Sequence, residues 1–405
     1  LALCGGLSAL ALFAAFTFTD AYVLAGFASC VVVGALVGIE IPLLLRILEQ
    51  RVTVRVAVSH VLAVDYVGAL VGSVLFPVLL LPQLGLVRAA ALLGLLNVLV
   101  AVLALRLLGA EVPRSGRLVG FAAVVAVVLG AVLGFGGRAT SLLEDRLYSD
   151  PVILSASTPY QRLVVTRWRD DTRLFLDGHL QFSTVDEHRY HEPLVHPAMA
   201  AATQRRDVVV LGGGDGMAVR EVLRWPDVQT VTLVDLDPAV TRLFAEHGVL
   251  SATNDHALSD PRVTLRHEDA VRFLTETEAR FDVVIMDLPD PNDAQLARLY
   301  SEPTFRLVRA RLRPGGALVT QATSPFYARE AFWCIVGTMR AAFDEPGPGR
   351  RTVRGYHSFV PSFGSWGWAI ALPEGALSDG VPALTIPAAV NGSLRFLDDA
   401  ALGAL

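Results

Sequence analysis

The sequence predicts an N-terminal α-helical transmembrane bundle joined to an α/β domain, with a small β-hairpin unit between them. Three observations carry this prediction. Apolar runs of membrane-spanning length follow one another up to Gly136-Gly137-Arg138, where the composition changes sharply. Residues 161–182 are β-rich and punctuated by turn signals. From Asp207 onward, short apolar stretches alternate with amphipathic ones. The overall composition averages such parts: 53% hydrophobic, 18% charged, mean hydropathy +0.49. The limits read from it are 1–137 for the helical part, 138–190 for a linker and β-strand unit, and 191–405 for the α/β part.

A helix crosses the hydrocarbon core of a bilayer with ~20 mostly apolar residues. Five stretches qualify: 1–18, 21–45, 56–81, 85–108 and 118–137. Their breaks carry Asp20, the Arg46/Arg51/Arg55 group, the Pro82-Gln83 turn and the Arg106/Arg114/Arg117 group. Five such runs in succession are hard to bury without lipid. Leu1 already lies inside an apolar run, which reads as an incomplete N-terminus. An ionised side chain at the bilayer centre costs at least ~2.5 kcal/mol, so acids there look for a partner or a cavity. Glu40 could pair with Arg46, and Asp65 suits either a helix-to-helix hydrogen bond or a transport path. Gly34–Gly38 and Gly68–Gly72 have the small-xxx-small spacing that permits close helix packing.

The middle segment reads as strands at 161–168 and 173–182, with turns at Asp170-Asp171 and Asp177-Gly178. Strands are then expected at 207–211, 230–235, 262–266, 281–287 and 316–321, with helices between them, and an antiparallel pair at 351–372. That alternation implies a parallel sheet with helices on both faces. The order resembles the Rossmann-like sheet of class I methyltransferases. Net charge is −5 and every cation is Arg, with no basic stripe that would call for nucleic acid. Cys4, Cys30 and Cys334 offer no metal spacing and no disulfide framework.

The strongest local motif is Val208-Val209-Val210-Leu211-Gly212-Gly213-Gly214-Asp215-Gly216. A buried strand runs into a glycine loop, which lets a ligand approach the backbone closely. Gly212 and Gly214 are the cofactor-binding candidates there, and the loop lacks the Lys-Ser/Thr ending of a Walker motif. Asp215 would repel a pyrophosphate and suits a cationic ligand. Asp235 ends the second strand about 20 residues on, where an acid typically takes both ribose hydroxyls. Loop and acid together point to an adenosine, and to a sulfonium nucleoside over NAD. Asp269 follows the third strand; it could accept from an adenine amino group or cap the next helix, and both stay open. Asp287 and Asp290 end the fourth strand, where this fold places its reaction centre. Paired acids suit an amine substrate: one anchors an ammonium, the other takes a proton from the attacking nitrogen.

From about residue 152 to about 372 the chain resembles the spermidine synthase family. The matching features run in order: Thr158-Pro159-Tyr160-Gln161, Leu176-Asp177-Gly178, Gln181, Asp186-Glu187, Tyr190-His191-Glu192 and His196-Pro197. They continue with the glycine loop, Asp235, Asp269-Ala270, Asp287–Pro291, Leu299-Tyr300-Ser301, Pro314-Gly315-Gly316, Pro361-Ser362-Phe363 and Trp366-Gly367. The resemblance implies transfer of an aminopropyl group from decarboxylated S-adenosylmethionine to a polyamine such as putrescine, giving spermidine and methylthioadenosine. The donor is a co-substrate, and no permanently bound cofactor and no metal are implied. Carried over by position, Gln161 and Asp235 bind the nucleoside, Asp269 and Ala270 hold adenine, and Asp215 meets the donor's ammonium. Tyr190, His191 and Asp290 line the amine site, the 138–190 unit covers the substrate, and Asp287 is the catalytic residue.

Two alternatives remain in view. A methyl- or alkyltransferase using S-adenosylmethionine could occupy the same sheet, although methyl transfer needs no cation pocket. A polyamine transporter or sensor would use Glu40 and Asp65 and turn nothing over. The expected partners are a polyamine, the sulfonium nucleoside, a lipid membrane and, by the same resemblance, further copies of the chain. The expected location is the cell membrane, multi-pass. Arg-rich breaks favour placing the α/β part outside, whereas supply of the donor argues for the cytoplasm, and the cytoplasmic placement is adopted.

Overall fold

A computed structural model describes residues 1–49, 52–108, 115–144, 146–343, 351–378, 381–382 and 384–404. Arg51 and Arg114, expected in the charged breaks, lie outside the described residues. The chain forms two compact units, Leu1–Pro151 and Val152–Leu405.

The first unit is helical: α1 (Ala2–Phe18), α2 (Tyr22–Leu48), α3 (Val54–Leu75), α4 (Leu81–Leu108) and α5 (Ser115–Glu144). Among the described residues three stretches are long and apolar enough to cross a membrane, Tyr22–Leu48, Val54–Leu107 and Gly116–Glu144, whereas Ala2–Phe18, expected as a span over 1–18, is a shorter apolar helix. The second of these joins two expected runs, because α3 continues through a π-helical turn, Phe76–Leu80, into α4. The helical backbone breaks at Gly85 (φ 71°, ψ 169°), just past the expected Pro82-Gln83 turn, since glycine accepts a positive φ at no steric cost. The composition change at Gly136–Arg138 falls inside α5. There the Thr140 and Ser141 hydroxyls bond back to the Gly136 and Gly137 carbonyls, and the helix runs on to Glu144.

Close packing in this unit differs from the expectation. A Cβ added to Gly34, Gly38, Gly68 or Gly72 would meet nothing within 4 Å. The tight approach is instead between α1 and α4: a Cβ on Gly94 would lie 3.0 Å from the Gly6 Cα and 2.8 Å from the Ala2 carbonyl oxygen. Glu40 and Asp65 are both exposed, and Glu40 forms no ion pair with Arg46.

The second unit opens with a four-stranded antiparallel meander, β1 (Val152–Ser157), β2 (Arg162–Trp168), β3 (Asp171–Leu176) and β4 (His179–Ser183). It is thus larger than the expected hairpin. The Asp177-Gly178 turn takes φ of 50° and 82°, the positive pair of a type I′ two-residue hairpin. Helix α6 (His188–Ala201) follows and spans the expected domain limit at 190/191.

The main sheet has seven strands: β5 (Asp207–Gly212), β6 (Thr230–Asp235), β7 (Val263–His267), β8 (Phe281–Asp287), β9 (Leu312–Gln321), β10 (Arg351–Val360) and β11 (Gly364–Pro373). Their order is β10-β11-β9-β8-β5-β6-β7. Strands β5 to β9 pair in parallel, whereas β11 pairs antiparallel with both β9 and β10, so the sheet is mixed. Along β5, Val208 and Val210 pack into one buried cluster and Val209 and Leu211 into another, so both faces are covered. Chain order reverses at β5, between β6 and β8. An open α/β sheet binds its ligand at such a switch point.

Candidate active site

The carboxyl ends of β5, β6 and β8 converge on the glycine loop. Gly212 and Gly213 hold φ of 79° and 67°. A Cβ on Gly212 would lie 2.0 Å from the Asp287 carbonyl oxygen, and one on Gly213 would lie 2.9 Å from Asp287 Oδ2. The loop therefore presses directly on the residue expected to do the chemistry. A Cβ on Gly214 would meet Asp235 Oδ2 at 2.6 Å. Instead the Gly214 N–H donates to that oxygen at 3.0 Å, and the Asp237 N–H donates to Oδ1 at 2.8 Å. Each Asp235 oxygen keeps acceptor capacity, which suits a pair of vicinal hydroxyls. Burial pushes the Asp235 carboxyl up, against those two backbone bonds.

Gln161 reaches the same corner. Its amide donates to Asp237 Oδ2 at 3.2 Å, an oxygen that also accepts from Thr158 Oγ1 at 2.7 Å. The other Asp237 oxygen caps the following helix, Pro238–Glu246, by accepting from the Ala239 N–H. Asp269 is engaged twice. One oxygen accepts from the Arg272 N–H, capping the helix that starts at Ala270, and the other takes Arg298 at 2.6 Å. The capping role is thus realised, and an adenine amino group would compete with Arg298. Ala270 is buried at the first turn of that helix.

On the other side, α6 presents Tyr190 and His191. The Tyr190 hydroxyl donates to Asp287 Oδ1 at 2.8 Å. Burial and then the Asp287 charge push the Tyr190 phenol well above its ordinary value, so it stays protonated and remains a donor. Loss of hydration raises the Asp287 carboxyl, with His191 and the Tyr190 bond pulling the other way. Asp215 is pushed up to about 6 by burial, opposed by His191 and reinforced by the Asp287 charge. One Asp215 oxygen accepts from the Met217 N–H at 2.9 Å. Phe363, Trp366 and Trp368 surround Tyr190, with ring centroids at 6.0, 6.3 and 5.8 Å.

Asp290 lies beyond Asp287 and is held by Gln321, whose amide donates to Asp290 Oδ1 at 3.2 Å and to the Leu288 carbonyl at 2.9 Å. Burial raises its carboxyl. The Tyr300 hydroxyl donates to the Leu288 and Pro289 carbonyls at 3.0 and 2.9 Å, which pins the acidic loop. Gln321 was not singled out from the sequence, although a polar residue ending an apolar strand was a visible signal. Asp186 ties the site to the β10–β11 turn by accepting from the Ser362 N–H and hydroxyl at 2.6 and 3.0 Å. The structure thus gathers Asp215, Asp235, Asp287, Tyr190 and His191 around one loop, with Asp290 and Gln161 at its two margins. Such a grouping has carboxylates that suit a cationic ligand, an acid with free acceptor capacity for hydroxyls, and a carboxylate able to take a proton.

Residues 187–377 match the spermine/spermidine synthase domain family. Polyamine aminopropyltransferase 2 of Ralstonia nicotianae is 48% identical over 375 residues, covering 91% of this chain and 72% of the relative. The polyamine aminopropyltransferase of Leptospira interrogans is 44% identical over 371 residues, covering 91% and 73%. That of Mycobacterium tuberculosis is 41% identical over 420 residues, covering 100% and 77%. Similarity over nine-tenths or more of the chain extends well into the helical unit. Among solved structures, the spermidine synthase of Thermotoga maritima superposes with a TM-score of 0.53 at 24% identity, covering 62% of this chain and 83% of that one. A spermidine synthase complexed with the transition-state analogue AdoDATO gives 0.54 at 24% identity, covering 62% and 84%. At that identity the likeness shows the fold.

Proposed function

Because the chain belongs to the spermine/spermidine synthase family and is a polyamine aminopropyltransferase, we propose that Asp287 is the base in aminopropyl transfer from decarboxylated S-adenosylmethionine to an amine such as putrescine. The observation that supports this most is the Asp287 carboxylate, bonded to Tyr190 at 2.8 Å directly under the Gly212-Gly213 backbone. Asp235 takes the ribose hydroxyls, Gln161 closes that end, and Asp269 with Ala270 borders the adenine. Asp215 receives the donor's aminopropyl ammonium. Ordinary S-adenosylmethionine would bring an extra carboxylate near that acid, and like charges away from water repel strongly. Tyr190, His191 and Asp290 receive the acceptor amine.

The step is a displacement at carbon. The amine nitrogen forms a bond to the aminopropyl carbon, the carbon–sulfur bond breaks, and methylthioadenosine leaves as a neutral thioether. An amine with a pKa of ~10 arrives protonated at neutral pH, so a proton must be removed before attack. Asp287, raised by loss of hydration, is a better proton acceptor than an exposed aspartate. The protein's other contribution is alignment of the two reactants. An Asp287→Asn enzyme is expected to lose at least ~10²-fold in kcat while still binding methylthioadenosine. Single-turnover release and equilibrium binding measure the two, and full turnover would remove Asp287 from the base role.

The helical unit is proposed to embed in the membrane as a multi-pass anchor, with the catalytic unit in the cytoplasm. Support comes from the three long apolar stretches and from their outward-facing Leu, Val, Ile and Phe side chains. The Gly85 break lets the 54-residue stretch Val54–Leu107 serve as two passes. A charged nucleoside and a polyamine do not cross a bilayer unaided. That favours the compartment in which they are made.

A further inference from the structure

Glu187 has no part in the chemistry described so far, yet it is one of the most enclosed carboxylates in the catalytic unit, with its side chain 4% exposed. Its Oε2 lies 2.9 Å from His191 Nδ1, and the Glu187 carbonyl lies 3.0 Å from the same nitrogen. Both neighbours only accept, so Nδ1 carries a proton. On its far side Glu187 is gripped by Arg220, whose Nη2 donates to the two carboxylate oxygens at 3.0 and 2.8 Å. Arg220 is itself held by Glu221 at 2.8 Å and by the Thr253 carbonyl at 2.7 Å. It stands on helix α7 (Met217–Leu223), which begins directly after the glycine loop. The Arg220–Glu187–His191 line therefore connects the donor-side helix to the acceptor-side helix α6.

We propose that Glu187 is a positioning residue for the transfer: backed by Arg220, it fixes the tautomer and positive charge of His191, and that charge sets the protonation of Asp215 and Asp287. The role rests on the aminopropyl-transfer reading of the same site. The charged and titratable groups facing His191 are Glu187 just before α6, Tyr190 on α6, Asp215 in the loop and Asp287 at the end of β8, with Arg220 acting through Glu187. Burial alone would discharge the ring. The Glu187 bond and charge outweigh it, with help from Asp215 and Asp287, and hold His191 up at about 9. Burial also opposes the Glu187 charge, but His191 and Arg220 hold its carboxyl down at about 2. A fixed imidazolium offsets the charges of Asp215 and Asp287. It also disfavours a second ammonium beside it, which biases the bound acceptor toward the neutral amine that attacks.

The test is the pH profile of kcat for the full-length enzyme at saturating donor and amine, compared among wild type, Glu187→Gln, Glu187→Asp and His191→Gln. Substrate ionisation is common to all four, so differences report the protein. Glu187→Gln is expected to bring the alkaline limb down by about one pH unit or more and to raise the acid limb, narrowing the bell from both sides. Glu187→Asp, which keeps the charge, returns both limbs toward wild type. His191→Gln abolishes the alkaline limb, and adding Glu187→Gln to it moves nothing further. A Glu187→Gln profile that is lower but keeps both limbs in place would mean a merely structural role and overturn the proposal. So would an alkaline limb that survives His191→Gln, a variant that leaves the Glu187–Arg220 pair intact and carries the test even if Glu187→Gln does not fold. A wild-type enzyme that releases no methylthioadenosine would instead overturn the reaction on which this role depends.

Discussion

Asp287, Asp215, Tyr190 and His191 form one electrostatic group, and their protonation states depend on one another. As pH falls through about 6, Asp215 protonates, and the hold on the donor ammonium proposed for it should weaken. His191 has a stability consequence on the alkaline side. Its folded value, about 9, stands above the ordinary 6.5, so its contribution is whole below 6.5 and is lost as pH rises through about 9. The melting temperature should therefore decline over that interval, and Glu187→Gln should flatten the decline; thermal unfolding at a series of pH values reads both. Asp215 and Asp287 were legible in the sequence from the glycine loop and a strand end, whereas Tyr190 and His191 were picked out only by the resemblance to the spermidine synthase family. The role of Glu187 was not legible. It depends on Arg220, 33 positions away and brought alongside by the packing of two helices.

At the scale of elements, the parallel strands were read almost to the residue, because a strand buried on both faces is a short apolar run bounded by turn residues. The start of β9 was placed at 316, four residues late: Pro314-Gly315-Gly316 reads as a turn, yet it lies inside Leu312–Gln321 with Gly315 at φ 74°. Strand β1 was missed because its six residues alternate between half-buried and exposed at a sheet edge, which leaves a weak apolar signal. The glycine loop was found, but its reason is tertiary: Asp287 leaves no room for a side chain. Gly212→Ala should fail on two counts, a φ of 79° and a Cβ 2.0 Å from a carbonyl oxygen. The expected cost is about 2–4 kcal/mol of stability together with loss of donor binding. Denaturant unfolding and nucleoside titration of the purified variant measure the two effects separately.

For the whole molecule, the division into Leu1–Pro151 and Val152–Leu405 assigns the aqueous chemistry to the second unit and the apolar surface to the first. A fragment comprising Val152–Leu405 should be recovered without detergent and keep kcat within about tenfold of the full chain. The full chain should sediment with membranes, and fractionation with a turnover assay on each fraction checks both statements. Four of the five apolar runs were legible from hydropathy as spans among the described residues, and the first, 1–18, forms a shorter apolar helix. Which of their glycines meet was not legible, because Gly6 and Gly94 belong to different helices and share no local spacing. The most direct test of the account is methylthioadenosine release by the detergent-purified full chain. Decarboxylated and ordinary S-adenosylmethionine would each be supplied with putrescine, cadaverine, agmatine, spermidine or no amine. The account predicts release that requires both an amine and the decarboxylated donor. Equal release from ordinary S-adenosylmethionine, or none from either donor despite nucleoside binding, would contradict it.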